Sequence, residues 1–212
     1  VYENVKKVVA WTLPTSAGEA MVIKVAILLG WALPISPVQI LWVNLITVVT
    51  LGLALAFEPK SSGAMLRPPR PRAEPLVGGV VVWHIIWVAV LFVCGVFGLH
   101  AYALSQGASM AMAQTVSLNA LVVLETVHLF FIRAWFLPHL TWSVLRGTVV
   151  VWGAVVAVWV AQGLVSYLPL LQNIFGTASL PLSMWGWMVA VGLVFLGMLE
   201  GEKRLRGWWF RS

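Results

Sequence analysis

Aspartate is missing from the 212-residue chain. All seven acidic residues are glutamate: Glu3, Glu19, Glu58, Glu74, Glu125, Glu200 and Glu202. The chain itself therefore offers no aspartyl nucleophile, and no EF-hand loop, which opens with Asp. Cysteine is almost missing too. Cys94 stands alone inside an apolar run, which excludes a disulfide framework and a cysteine cluster for zinc. Charge is scarce: 9% of the residues are charged, against about 25% in a soluble domain. That excludes a water-soluble globule.

What is present is apolar. Hydrophobic residues make up 61% of the chain, and the mean hydropathy is +0.95. Apolar runs cover about 8–29, 37–57, 77–104, 111–136, 147–168 and 184–199. Each is near the roughly 20 residues that an α-helix needs to cross a bilayer. The runs are continuous and lack the strict alternation of barrel strands, which favours helices. The sequence thus predicts an all-α, polytopic membrane protein with six transmembrane helices set in a lipid bilayer.

The net charge of +6 comes from 13 Lys and Arg against 7 acids. A basic excess can signal nucleic acid. Here the positive charges sit at the ends of apolar runs, so no nucleic-acid partner is expected. Lys6, Lys7, Lys60, Arg67, Arg70, Arg72, Arg133, Arg146, Lys203, Arg204, Arg206 and Arg211 fall on one side of an alternating six-span chain. Linkers 30–36, 105–109 and 169–183 on the other side have none, and Lys24 lies within the first span. The positive-inside rule then places both termini in the cytoplasm. Residues 58–74, EPKSSGAMLRPPRPRAE, read as an exposed loop, solvated or touching anionic lipid or a partner domain. Trp11, Trp31, Trp83, Trp135, Trp142, Trp185, Trp187, Trp208 and Trp209 lie near span ends, as in an interfacial belt. The chain opens at Val1, and no small-residue cleavage site follows the first apolar run. A segment of a longer protein is expected rather than a signal peptide.

A charge at mid-membrane costs roughly 2.5–3.5 kcal/mol, so each one needs a reason. Glu19 lies in the first span, with Ser16 one turn earlier on the same face. Asn44 and Thr47 share a face of the second span, and Glu125 lies in the fourth, with His128 one turn later. Two carboxylates with amide and hydroxyl oxygens suit a hard cation. Asn44 and Thr47 alone fit ordinary interhelical hydrogen bonding equally well. Pro14 and Gly18 either break the first helix beside Glu19 and free carbonyls, or mark an ordinary helix start. Lys24 is placed to neutralise a glutamate, act as a tethered cation, or snorkel. His84 and His100 read as interfacial packing, with His139 in a connector. His128 reads as a hydrogen-bonded structural residue or as a proton relay.

These residues sit in longer stretches: YENVKK at 2–7, LPTSAGEAMVI at 13–23, PVQILWVNLIT at 37–47, LALAFEP at 53–59 and MLRPPR at 65–70. ETVHLFFIRA at 125–134, IFGTASL at 174–180 and EGEKRLR at 200–206 follow in order. In this combination the whole chain resembles the C-terminal membrane region of P-type cation-transporting ATPases of the calcium-pump-like branch. The resemblance implies that the six spans are the family's fifth to tenth transmembrane helices. Glu19 matches the carboxylate of the fifth helix, and Ser16 stands where calcium pumps have Asn. Asn44 and Thr47 match ligands of the sixth helix, and Glu125 matches the carboxylate of the eighth. Val48 stands where calcium pumps have Asp after the Thr. A bridging carboxylate is lost, which favours one ion, a monovalent ion, or a proton-coupled scheme.

The resemblance also implies partners outside these residues. The first four helices, the phosphorylated Asp, the nucleotide-binding domain and the dephosphorylation loop are not in the chain. Mg and ATP are expected to serve the intact pump, with no cofactor held by this chain. The expected location is a bacterial inner (plasma) membrane. Two alternatives remain. One is a stand-alone, non-enzymatic six-span regulator or subunit derived from such a pump. The other is a passive cation or proton channel.

Overall fold

A computed structural model describes residues 2–58, 77–135 and 148–209. All regular structure among them is helical. The elements are α1 (Tyr2–Leu29), α2 (Pro37–Thr47), a wider π turn (Val48–Gly52), α3 (Leu53–Ala56), α4 (Gly79–Ser105), α5 (Met110–Arg133), α6 (Val149–Tyr167), α7 (Pro169–Phe175) and α8 (Leu182–Trp209). Six stretches are long and apolar enough to cross a membrane: Glu3–Leu29, Pro37–Ala56, Gly79–Ser105, Met110–Arg133, Val149–Tyr167 and Leu182–Leu205. The chain is an integral membrane protein built of helices.

Local chemistry sets the helix ends. Ser36 caps α2, its Oγ accepting from Gln39 N while Gln39 Oε1 accepts from Ser36 N, and Pro37 occupies the first turn. Ser109 and Thr148 cap α5 and α6 with their hydroxyls alone, accepting from Met112 N and Val151 N. Gly30 and Gly107 end α1 and α4 at φ +66° and +80°. There Trp31 N reaches Ala26 O, and Ala108 N reaches Ala103 O, closing the last turns as a left-handed cap requires.

The helices outrun their apolar stretches at the charged ends. α1 starts at Tyr2, ahead of Lys6 and Lys7, and α8 continues through Glu200–Arg206 to Trp209. Lys, Glu and Arg are good helix formers, so the helix persists where the apolar run stops.

α5 is the hub, packing against α1, α2, α4, α6 and α8. In the span on α5, 83% of the apolar window is buried, against 28–39% in the other five. α1 and α4 form the most extensive helix pair. Gly18 makes it close. A Cβ there would stand 2.6 Å from Cδ2 and 2.9 Å from Cβ of Phe92. Small residues at a helix crossing let backbones approach, the main source of packing energy in lipid.

One end of the bundle is tied by polar contacts. Asn4 donates to Glu58 O (2.7 Å) and Ala56 O (3.0 Å). Lys7 Nζ lies 2.6 Å from Glu58 Oε2, and Arg133 donates to Glu58 Oε1. Lys203 Nζ donates to Ala134 O at 2.6 Å. The described basic residues Lys7, Arg133 and Lys203 thus gather at one end of the bundle. The RPPRPR stretch, Trp142 and His139 lie outside the described residues.

Two expectations change. α1 runs unbroken through Pro14 and Gly18. The irregular backbone lies in the second span instead, at Val48–Gly52, directly after Thr47. Thr50 donates its hydroxyl to Ile46 O there, supplying a partner within the widened turn. π turns of this kind occur often beside functional sites. Trp11 leaves the interfacial belt. It is fully buried in the core, whereas Trp31 and Trp83 are more than half exposed.

Candidate functional site

The two intramembrane glutamates meet. Glu19 is 4% exposed and Glu125 1%. Their side chains are within hydrogen-bonding reach of each other, although they come from α1 and α5. Asn44, from α2, donates its amide to Glu19 Oε2 and also to Ile40 O at 3.2 Å. Thr47, one turn on, is buried and donates to Val43 O at 2.9 Å. Its hydroxyl is also within reach of Glu125. Three helices thus deliver two carboxylates, an amide and a hydroxyl to one place.

The scaffold explains the convergence. Glu19 follows Gly18, where α1 is pressed on α4. Asn44 and Thr47 sit one turn apart at the end of α2, so both face inward. The backbone of Glu125 is held by Trp11, whose Nε1 donates to Glu125 O at 3.2 Å. Glu125 Oε2 has no hydrogen-bond partner among the described residues. A buried carboxylate oxygen without a donor is costly, and a cation or a proton removes that cost.

Residues 32–205 match the family described as "Cation transporting ATPase, C-terminus". The chain belongs to this family. A Mycobacterium tuberculosis protein named "Probable cation-transporting ATPase F" is 41% identical over 193 residues, covering 90% of this chain and 21% of that protein. "Cation-transporting ATPase pma1" of Synechocystis is 32% identical over 191 residues, covering 87% of this chain and 21% of its own length. "Calcium-transporting ATPase 1" of Bacillus cereus is 29% identical over 216 residues, covering 94% of this chain and 24% of its own. The chain therefore spans about a fifth to a quarter of the curated relatives it matches.

Within this ATPase membrane region, the other candidate residues stand apart from the acidic centre. Ser16 is half-buried on α1, and no described hydrogen bond joins it to the group. Lys24 is exposed on the outside of α1. Val48 opens the π turn and is 37% exposed, on a face that the described chain leaves uncovered. Among the described residues, no three His, Cys, Asp or Glu side chains converge as metal ligands. The centre is a buried cluster of two carboxylates, an amide and a hydroxyl.

Sequence reasoning missed the histidine arrangement. His84 is fully buried, and its Nε2 lies 3.0 Å from Nε2 of His128. His84 Nδ1 lies 3.7 Å from Glu202 Oε2 of α8. The signal was present in α4, where His84 belongs to a buried stripe with Val81, Val88, Phe92, Val96 and Leu99. His100, also buried, has Nδ1 3.1 Å from Ser117 Oγ.

Proposed function

We propose that the chain is the C-terminal membrane domain of an ATP-driven cation pump and forms part of its intramembrane cation site. Glu19 and Glu125 are the charged ligands. Asn44, Thr47 and Ser16 add neutral oxygens. The reading rests on one observation, the meeting of two buried carboxylates from different helices. Such a pair repels itself in a low-dielectric interior, and a cation between the two, or a proton on one, relieves the repulsion. The transported ion is therefore part of what makes the centre stable.

The rest of the pump lies outside this chain. Four further helices would complete the cage, and cytoplasmic domains would bind Mg and ATP and carry the phosphorylated Asp. Their movement would shift the spans between two arrangements with opposite access. The basic end tied through Glu58 would face the cytoplasm, with both termini there. Bacterial relatives support a bacterial plasma membrane. With Val48 in place of a bridging acid, the cage suits a single ion.

Phosphorylation of the full-length protein from ATP tests this, with calcium, sodium, potassium and protons varied in turn. At least one should stimulate the wild type, and Glu19→Gln should abolish that stimulation. An unchanged cation dependence in the variant rejects the ligand role.

A further inference from the structure

We propose that His128, His84 and Glu202 form a proton-transfer path between the interior of the bundle and its basic end. The path depends on the pump reading for its use, the exchange of protons against the transported cation, but not for its chemistry.

Three helices build it. His128 stands on α5, His84 on α4 and Glu202 near the end of α8. Both imidazoles are fully buried. Phe131 stacks on His84 with ring centres 5.6 Å apart, Trp135 meets it edge-on at 4.7 Å, and Phe195 meets His128 at 6.3 Å. These rings pack round the pair, so a proton crosses it through the imidazoles themselves.

The 3.0 Å contact joins Nε2 to Nε2, so one ring donates and the other accepts. If His84 donated, its Nδ1 would carry a lone pair facing the Glu202 carboxylate, an unfavourable contact. If His128 donates, His84 carries its hydrogen on Nδ1, toward Glu202 at 3.7 Å. His128 then keeps a lone pair on Nδ1. That atom is buried and has no hydrogen-bond partner among the described residues. A purely structural histidine pair gains nothing from such an atom, which costs about 1–3 kcal/mol. A base waiting for a proton needs it.

The transfer balances. A proton enters at His128 Nδ1. The hydrogen on His128 Nε2 moves to His84 Nε2, and the hydrogen on His84 Nδ1 moves to Glu202 once their 3.7 Å separation closes to hydrogen-bond distance. One proton enters, one leaves, and both rings end neutral with their tautomers reversed. Deprotonation of Glu202 at the basic end and rotation or reverse tautomerisation of the rings reset the path.

The charged groups around the pair come from several elements. On α8, Glu200 and Lys203 flank Glu202, and Lys203 Nζ lies 5.4 Å from the Phe131 ring centre. At the end of α5, Arg133 is engaged by Glu58, which also holds Lys7 of α1. Glu125 lies one turn before His128 on α5. Glu202 is the acid that meets the histidine pair, which makes it the exit.

The test uses the full-length protein in liposomes, with a pH-sensitive dye inside. ATP-driven proton movement should fall by about tenfold or more in His128→Gln and in Glu202→Gln, with cation-stimulated phosphorylation kept. Proton movement retained in both variants, or cation transport without any proton movement in the wild type, overturns the proposal. A second measurement stands apart from pumping. In the 15N-histidine-labelled protein in lipid, a coupling should cross the His84–His128 hydrogen bond, and the two rings should change tautomer together with pH. Rings that share no hydrogen, or that hold one tautomer at every pH, overturn the path. Lack of cation-stimulated phosphorylation in the wild type would instead defeat the pump reading.

Discussion

The membrane domain carries two polar centres on the same helix, one turn apart, and they are built differently. The acidic centre joins Glu19, Asn44, Thr47 and Glu125, and borders a face left uncovered at Val48. The histidine centre joins His84, His128 and Glu202, and is closed by Phe131, Trp135 and Phe195. Oxygen ligands beside an incomplete wall suit an ion that arrives and leaves. Imidazoles walled by aromatic rings suit a proton, which needs no cavity. Burial alone does not distinguish them, since Glu19, Glu125, His84 and His128 are all almost wholly buried. What differs is which atoms are left to bind and whether the wall is complete.

The two centres are also joined by packing. Gly18 precedes Glu19 and lies against Phe92. Phe92 meets Phe195 with ring centres 5.6 Å apart, and Phe195 meets His128. Gly18→Ala therefore has the largest expected effect of the changes considered next. The new methyl group would lie 2.9 Å from Cβ of Phe92, too near the backbone for the ring to swing clear. Overpacking of this kind costs about 1–3 kcal/mol. Thermal unfolding in detergent should show the loss. Both cation affinity and the pH profile of proton movement should shift, because both centres lean on Phe92. Gly98→Ala, which meets nothing within 4 Å, is the control and should be neutral. Wild-type behaviour of Gly18→Ala would mean that the centres are mechanically separate.

Val48→Asp sharpens the contrast in ligand chemistry. It adds an acid where the π turn begins, beside Thr47. If the uncovered face completes the cage, preference for divalent over monovalent ions should rise about tenfold, or ~1.4 kcal/mol, in phosphorylation assays. The histidine tautomers should not respond. Unchanged selectivity would show that this face does not line the ion's position.

Much of this was legible in the residues. Six continuous apolar runs can only be helices in lipid, because each must satisfy its own backbone. Glu19, Asn44, Thr47 and Glu125 stood out because polar groups at that depth are costly. What the sequence withheld was relative placement. A break at Pro14 was one of two readings, yet α1 is continuous there and the irregular turn formed at Val48–Gly52, in a stretch with no proline. An interior proline removes one hydrogen bond and crowds the turn before it, and packing against α4 through Gly18 can hold such a helix together. Trp11 near a span end resembled a belt residue, since sequence position gives depth but not which way a side chain points. His84 was read as interfacial for the same reason. Its partner, His128, is 44 residues away, and only the packing of α4 on α5 brings them together.

Trp11→Phe has the smallest expected effect and separates the centres most cleanly. Phenylalanine keeps an aromatic ring in the core, removes the Nε1–H that reaches Glu125 O at 3.2 Å, and leaves part of the indole's space unfilled. One neutral hydrogen bond contributes about 1 kcal/mol. The carbonyl it leaves belongs to the residue whose carboxylate meets Glu19, so the loss loosens the acidic centre directly. Apparent cation affinity in the phosphorylation assay should therefore weaken by roughly fivefold at most. The hydrogen bond between His84 and His128 should keep its coupling, because Trp11 makes no ring contact with either. Equal disturbance of both centres would show that α5 moves as one body, and that one turn of helix is too short to insulate an ion site from a proton path. A change confined to cation affinity would show that the backbone at Glu125 is positioned from α1, by the same helix that supplies the opposing carboxylate.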